Sequence, residues 1–159
     1  MLPSVAQASA EAPGQLTPWR FVIVPATKRE LLAEVFALAL IDRDPGATLE
    51  QIEAAREKAH RAPLLMLAVS RLGPIEAPIP AFERLVSLGA AVQNLLLAAH
   101  SMGFGSGLTS GQAMTSPRMR ALFALVEGEE PVCFVNVGAV AKAKPPRMRP
   151  TASAYSSSL

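Results

Sequence analysis

Leu85-Val86-Ser87-Leu88-Gly89-Ala90-Ala91-Val92-Gln93-Asn94-Leu95-Leu96-Leu97-Ala98-Ala99-His100-Ser101-Met102-Gly103-Phe104-Gly105-Ser106-Gly107-Leu108 decides how the chain is read. Between Arg84 and Arg118 there is no Lys, Arg, Asp or Glu, and the stretch is long enough to be mistaken for a membrane span. Gln93, Asn94 and His100 in its middle and the glycines towards its end are costly in hydrocarbon, so a helix buried in protein explains it better. Leu85, Leu88, Val92, Leu95, Leu96 and Ala99 recur at helical spacing, and Val86, Ala90 and Leu97 add apolar surface on other faces. Such a helix expects cover all round, part of it from a partner subunit.

Working outward, 159 residues and 16.8 kDa fit one domain spanning 1–159, with 150–159 as a loose C-terminal end. Apolar residues make up 50% and charged residues 18%, below the roughly 25% usual in soluble domains, which again favours an oligomer. Cys133 is the single cysteine, and with only His60 and His100 beside it there is no disulfide framework and no metal site. Lys142, Lys144, Arg147 and Arg149 concentrate positive charge near the C-terminus and leave the remainder mildly acidic. That is a footprint for one anionic group and not for nucleic acid, which needs a broad basic face. Met1 to Ala12 lacks the basic and apolar regions of a secretory signal, so the cytoplasm is the expected location and no membrane is expected as partner.

The coarse element order reads βααβααβ. Arg20 to Val24 is a strand stopped by Pro25. Thr27 with Glu30, and Thr48 with Gln51, have the spacing of capping boxes that open two helices, the second running towards His60. Pro63 to Ser70 is a strand buried on both faces, followed after a proline-rich loop by the long helix, near whose start lies Glu83. Ser116 or Thr115 caps a short helix with Pro117 in its first turn, ending near Val126, and Val132 to Val137 is the last strand. Glu127, Glu129 and Glu130 read as a solvated loop between them, His60 as a surface residue, His100 as a core residue, and Cys133 as a buried, inert thiol.

Three segments are candidates for chemistry. Gly103 to Gly111 fails as a dinucleotide fingerprint, because the third glycine is missing and a helix precedes it where a strand is required. Its glycines could instead bring backbone N–H groups against a flat or anionic ligand, with Thr109 and Ser110 as hydroxyl donors; a helix C-cap with a tight turn is the equal alternative. In Ala12 to Phe21, Trp19 either anchors the loop to the core, the more common outcome, or Gln15 and Thr17 bond a heterocycle edge. Arg147 and Arg149, alternating in an extended tail, point to one side and suit a phosphate, although a solvated terminus is the usual fate of such a run. No residue stands out as a nucleophile or general base.

Together these pieces resemble the FMN-dependent nitroreductases, in their small single-domain branch, from about Ala12 to Arg149. The likeness is carried by Ala12-Pro13 leading to Thr17-Pro18-Trp19-Arg20-Phe21, similar to the family's Gln-Pro-Trp turn before a strand, then by Ser87 to Ala99, then by the glycine-rich exit. Val135-Asn136-Val137-Gly138 is similar to the strand that leads into the family's phosphate-binding tail. The chain departs from the pattern in having Thr17 where the family has Gln and in lacking an Arg-Arg-Ser helix, so it reads as N-terminally short.

The resemblance implies an α+β fold with a mostly antiparallel sheet flanked by helices and a long central helix at the core of a homodimer. It implies hydride transfer from NAD(P)H through FMN to a nitroaromatic, quinone or similar small-molecule acceptor, with the chemistry residing in the cofactor and no catalytic side chain in the protein. By similarity Gly107, Leu108, Thr109, Ser110 and Gly111 would line the flavin, Gln15 would sit near its ring, and Arg147 and Arg149 would hold its phosphate. The alternative from another class is a dimeric interaction protein that binds flavin weakly or not at all.

Overall fold

The computed structural model describes residues 17–73, 79–141, 145 and 148–159. Strand β1 (Trp19–Ile23) leads through a 3-10 turn into helix α1 (Arg29–Arg43) and helix α2 (Leu49–Glu57), then strand β2 (Leu64–Arg71). Helix α3 (Ala81–Ser101), strand β3 (Gly105–Thr109), helix α4 (Pro117–Leu122) and strand β4 (Glu129–Gly138) follow. The strands form one sheet in the order β1-β2-β4-β3, antiparallel at every pairing. The α+β expectation holds, with one strand more than the sequence suggested. The glycines of Gly105–Thr109, read as a turn, pair with β4 in the register Gly107↔Asn136 and Thr109↔Phe134. Glycine has no side chain to give a strand pattern, and the partner lies far along the chain.

β2 is buried on both faces, as its unbroken apolar run implies. Leu65, Leu67 and Val69 pack with Leu32, Met119, Phe123 and Phe134 on the α1 and α4 side. Met66 and Ala68 pack with Trp19, Leu88, Ala91, Val92 and Leu95 on the α3 side. α3 differs from the expected all-round burial. Leu88, Leu95 and Ala99 are inside, but Phe82, Val86 and Leu97 are 66%, 70% and 54% exposed. His100 is exposed as well, because it follows the last buried turn on the outward face. Among the described residues no helix is long and apolar enough to cross a membrane.

Of the three helix starts expected, two caps form and one does not. Thr48 and Gln51 form the reciprocal capping box, the Thr48 N–H donating to Gln51 Oε1 at 2.8 Å and the Gln51 N–H to Thr48 Oγ1 at 3.3 Å. Thr27 caps nothing; it lies in the 3-10 turn Ala26–Lys28, and α1 begins at Arg29 without a side-chain cap. Arg29 is buried there and donates to the carbonyls of Val24, Ala59, Ala62 and Pro63 at 2.9, 2.7, 3.2 and 3.1 Å. It ties the start of α1 to the turn before β2, an anchor that outweighs a cap. Ser116 caps α4, with Pro117 as first residue, but the helix stops at Leu122, short of Val126.

Glu129 is a further correction. Instead of standing in a solvated loop it opens β4, is 5% exposed, and pairs with Arg20 at 2.8 Å and Arg71 at 3.4 Å. Its partners come from β1 and β2, so local sequence does not reveal them. Trp19 is buried and its indole N–H donates to Ser87 Oγ at 3.2 Å, which makes it the anchor of its loop. Cys133 is buried and its thiol pKa is pushed up by burial, as an inert thiol requires. His60 lies at the surface, 3.4 Å from the Glu30 carboxylate.

Candidate functional site

Among the described residues β3 is an edge strand that pairs only with β4, which leaves one side of its backbone unpaired there. Directly paired residues share a face of the sheet, which puts Gly107, Thr109, Phe134 and Asn136 on the side of α1. In front of the end of β3 lies a cleft of about 460 Å³, within the range of small-molecule sites. It is lined by the buried Leu65, Phe134 and Met114, by Phe36 and Leu40 of α1, and by the exposed segment Leu108 to Gln112. Arg43, Lys58 and Arg61 stand at its rim. All three are exposed, and none has an acidic partner among the described residues. The cleft is thus apolar inside and cationic at the edge.

The glycines divide by what lies in front of them. A Cβ at Gly105 would come within 2.8 Å of Val140, and one at Gly138 within 2.7 Å of Pro63, so packing explains both. At Gly107 and Gly111 a Cβ would meet nothing within 4 Å. What those two glycines keep clear is open space beside the strand end, where a flat ligand can approach the backbone. Gly111 also has φ 152° and ψ −176°, a conformation that side chains rarely adopt.

The expected site residues fare unequally. Leu108, Thr109, Ser110 and Gly111 line the cleft, and Gly107 sits beside it on the same strand. Ser110 is not a free donor, because its hydroxyl donates to the Val132 carbonyl at 3.1 Å. Gln15 and Arg147 lie outside the described residues. Arg149 is exposed in the tail and is not among the cleft's lining residues. Arg43, Lys58, Arg61 and Gln112 were missed: the cations arrive from α1 and the turn after α2, and no local motif marks them. In the sequence Asn136 reads only as part of a strand. A lone amide in an apolar run was the signal that it meets something polar.

The sequence model of the Nitroreductase family matches residues 4–139. A protein of Haemophilus influenzae, named provisionally as an NAD(P)H nitroreductase, is 29% identical over 139 residues, covering 86% of this chain and 74% of its own. YdjA of Escherichia coli K12, with the same provisional name, is 30% identical over the same shares. Among solved structures, a nitroreductase-like family protein from Bacillus cereus superposes with TM-score 0.79 at 18% identity, over 99% of this chain and 83% of that one. Iodotyrosine deiodinase, solved with FMN and 3-iodo-L-tyrosine, superposes with TM-score 0.64 at 24% identity, over 94% of this chain and 83% of that one. Matched by the family model along most of its length, the chain belongs to the nitroreductase family.

Proposed function

We propose that this protein is an FMN-dependent oxidoreductase that takes hydride from NAD(P)H and delivers it to a nitroaromatic, quinone or similar small-molecule acceptor. The observation that carries this reading is the strand end cleared by Gly107 and Gly111, opening on an apolar-floored cleft whose three rim cations have no acidic partner among the described residues. A planar heterocycle bearing an anionic arm fits that donor set: apolar floor for the ring, exposed backbone at its edge, positive charge for the anion. Bound FMN would supply the hydride chemistry, which is why the protein needs no nucleophile or general base of its own.

The residues of the chain then have separate tasks. Leu108 to Gly111 would flank the ring, Phe134 and Leu65 would keep water from beneath it, and Arg43, Lys58 and Arg61 would favour whatever negative charge enters the cleft. Arg147 and Arg149 would hold the phosphate from the tail, with Gln15 near the ring. A homodimer completes the proposal. Phe82, Val86, Ala90, Gln93 and Leu97 follow one another at helical spacing along the open face of α3, and a second copy, in the cytoplasm, would cover them.

The test is direct. Purified protein should be yellow or should take up about one FMN per chain, and should then oxidise NAD(P)H with a quinone as acceptor. Arg149→Ala should weaken FMN binding about tenfold, the value of one charge-assisted hydrogen bond. A colourless dimer that cannot be loaded with FMN would instead support the interaction-protein reading.

A further inference from the structure

Asn136 makes an unusual pair of contacts for a strand residue. Its side-chain amide nitrogen lies 3.0 Å from Thr109 Oγ1 and 3.4 Å from the Gly107 carbonyl oxygen. A carbonyl oxygen can only accept, so the nitrogen of the amide, and not its oxygen, must face Gly107. The same NH₂ group then donates its other hydrogen to Thr109 Oγ1. With an acceptor site of that hydroxyl filled, its own hydrogen is left to donate elsewhere, and among the described residues it has no acceptor. Thr109 lines the cleft.

From this geometry we propose that Asn136 is a positioning residue, which fixes Thr109 as a hydrogen-bond donor to an acceptor atom, a carbonyl oxygen or ring nitrogen, of the ligand in the cleft. The proposal rests on the reading of that cleft as the FMN site. It explains why an amide occupies a strand position flanked by Phe134, Val135 and Val137, and why Ser110, whose hydroxyl is committed to Val132, cannot take over the role. Without Asn136 the threonine hydroxyl would be free to turn its hydrogen towards the Gly107 carbonyl or to solvent, and the donor would no longer be held ready for the ligand.

A double-mutant cycle on FMN affinity tests this, with flavin fluorescence as readout and the melting temperature of each unliganded variant as control for folding. Thr109→Val should raise the FMN Kd about tenfold, as expected for one lost hydrogen bond, and Thr109→Ser should stay close to wild type. Asn136→Ala should raise it severalfold by itself but add nothing to Thr109→Val, because it acts through that hydroxyl. If Asn136→Ala does not fold, Asn136→Ser, which leaves a smaller void and cannot reach both partners, takes its place. The visible absorption band of bound FMN should move alike in the Asn136 and Thr109→Val proteins. Additive losses, or an Asn136 variant with wild-type affinity, would overturn the proposal. So would wild-type binding by Thr109→Val, while FMN uptake by the other proteins still upheld the site. A wild-type protein that takes up no FMN would overturn the functional reading itself.

Discussion

Glu129 shows how a single side chain can join strands that are distant in sequence. Its carboxylate accepts two hydrogen bonds from Arg20 at 2.8 Å and one from Arg71 at 3.4 Å, and the Val126 N–H adds a weaker contact at 3.4 Å. The bond from Arg20, helped by the others and opposed by burial, holds the carboxyl down to about 2. The folded value lies below the unfolded one near 4.5, so the stabilisation is complete above about pH 4.5 and is lost as pH falls towards 2. It amounts to about 3 kcal/mol. Glu129→Gln should therefore lower the melting temperature at pH 7 and flatten its dependence on pH between 5 and 2, which calorimetry across that range would show. An unchanged acid profile would mean that other carboxylates govern acid unfolding. The local run Glu127 to Glu130 suggests only a solvated loop, since what distinguishes Glu129 is its arginine partners on β1 and β2.

Elements whose burial repeats along their own length were readable from sequence, and those that depend on a distant partner were not. β2 is unbroken and apolar because both its faces are covered, and the boundaries of its run, Pro63 to Ser70, nearly coincide with Leu64–Arg71. The capping boxes show the limit of that approach: Thr48 has the pattern and the geometry, whereas Thr27 has the pattern alone because Arg29 governs where α1 begins. For α3 the sequence revealed the helix but not its inner and outer sides. Leu95 belongs to the chain's own core, so the residues that would meet a second copy are Val86 and Leu97. Val86→Lys or Leu97→Lys should convert a dimer into monomers by placing an unpaired charge in the interface, while leaving the fold intact because each side chain is exposed within one chain. Light scattering at micromolar concentration decides this, and a wild-type monomer would refute the dimer.

In the molecule as a whole, the sheet is secured unevenly. β2 and β4 are flanked by strands on both sides, whereas β1 and β3 are edges, and only β1 carries large side chains into a core. Part of the candidate site was legible in the glycine-rich sequence, but its cationic rim was not, because folding alone brings α1 and the turn after α2 beside β3. The edge position of β3 has a consequence for motion. A short glycine strand with a single partner opens locally at little cost, so the amides of Gly105–Thr109 should exchange with solvent deuterium far faster than those of Leu64–Arg71. Saturating FMN should slow exchange in that segment more than anywhere in β2, since a ligand lying along the strand end must be released before the strand can open there. Deuterium uptake that ignored added FMN, in protein known to bind it, would place the ligand elsewhere; protection at β3 would make that weakest strand a gauge of how full the site is.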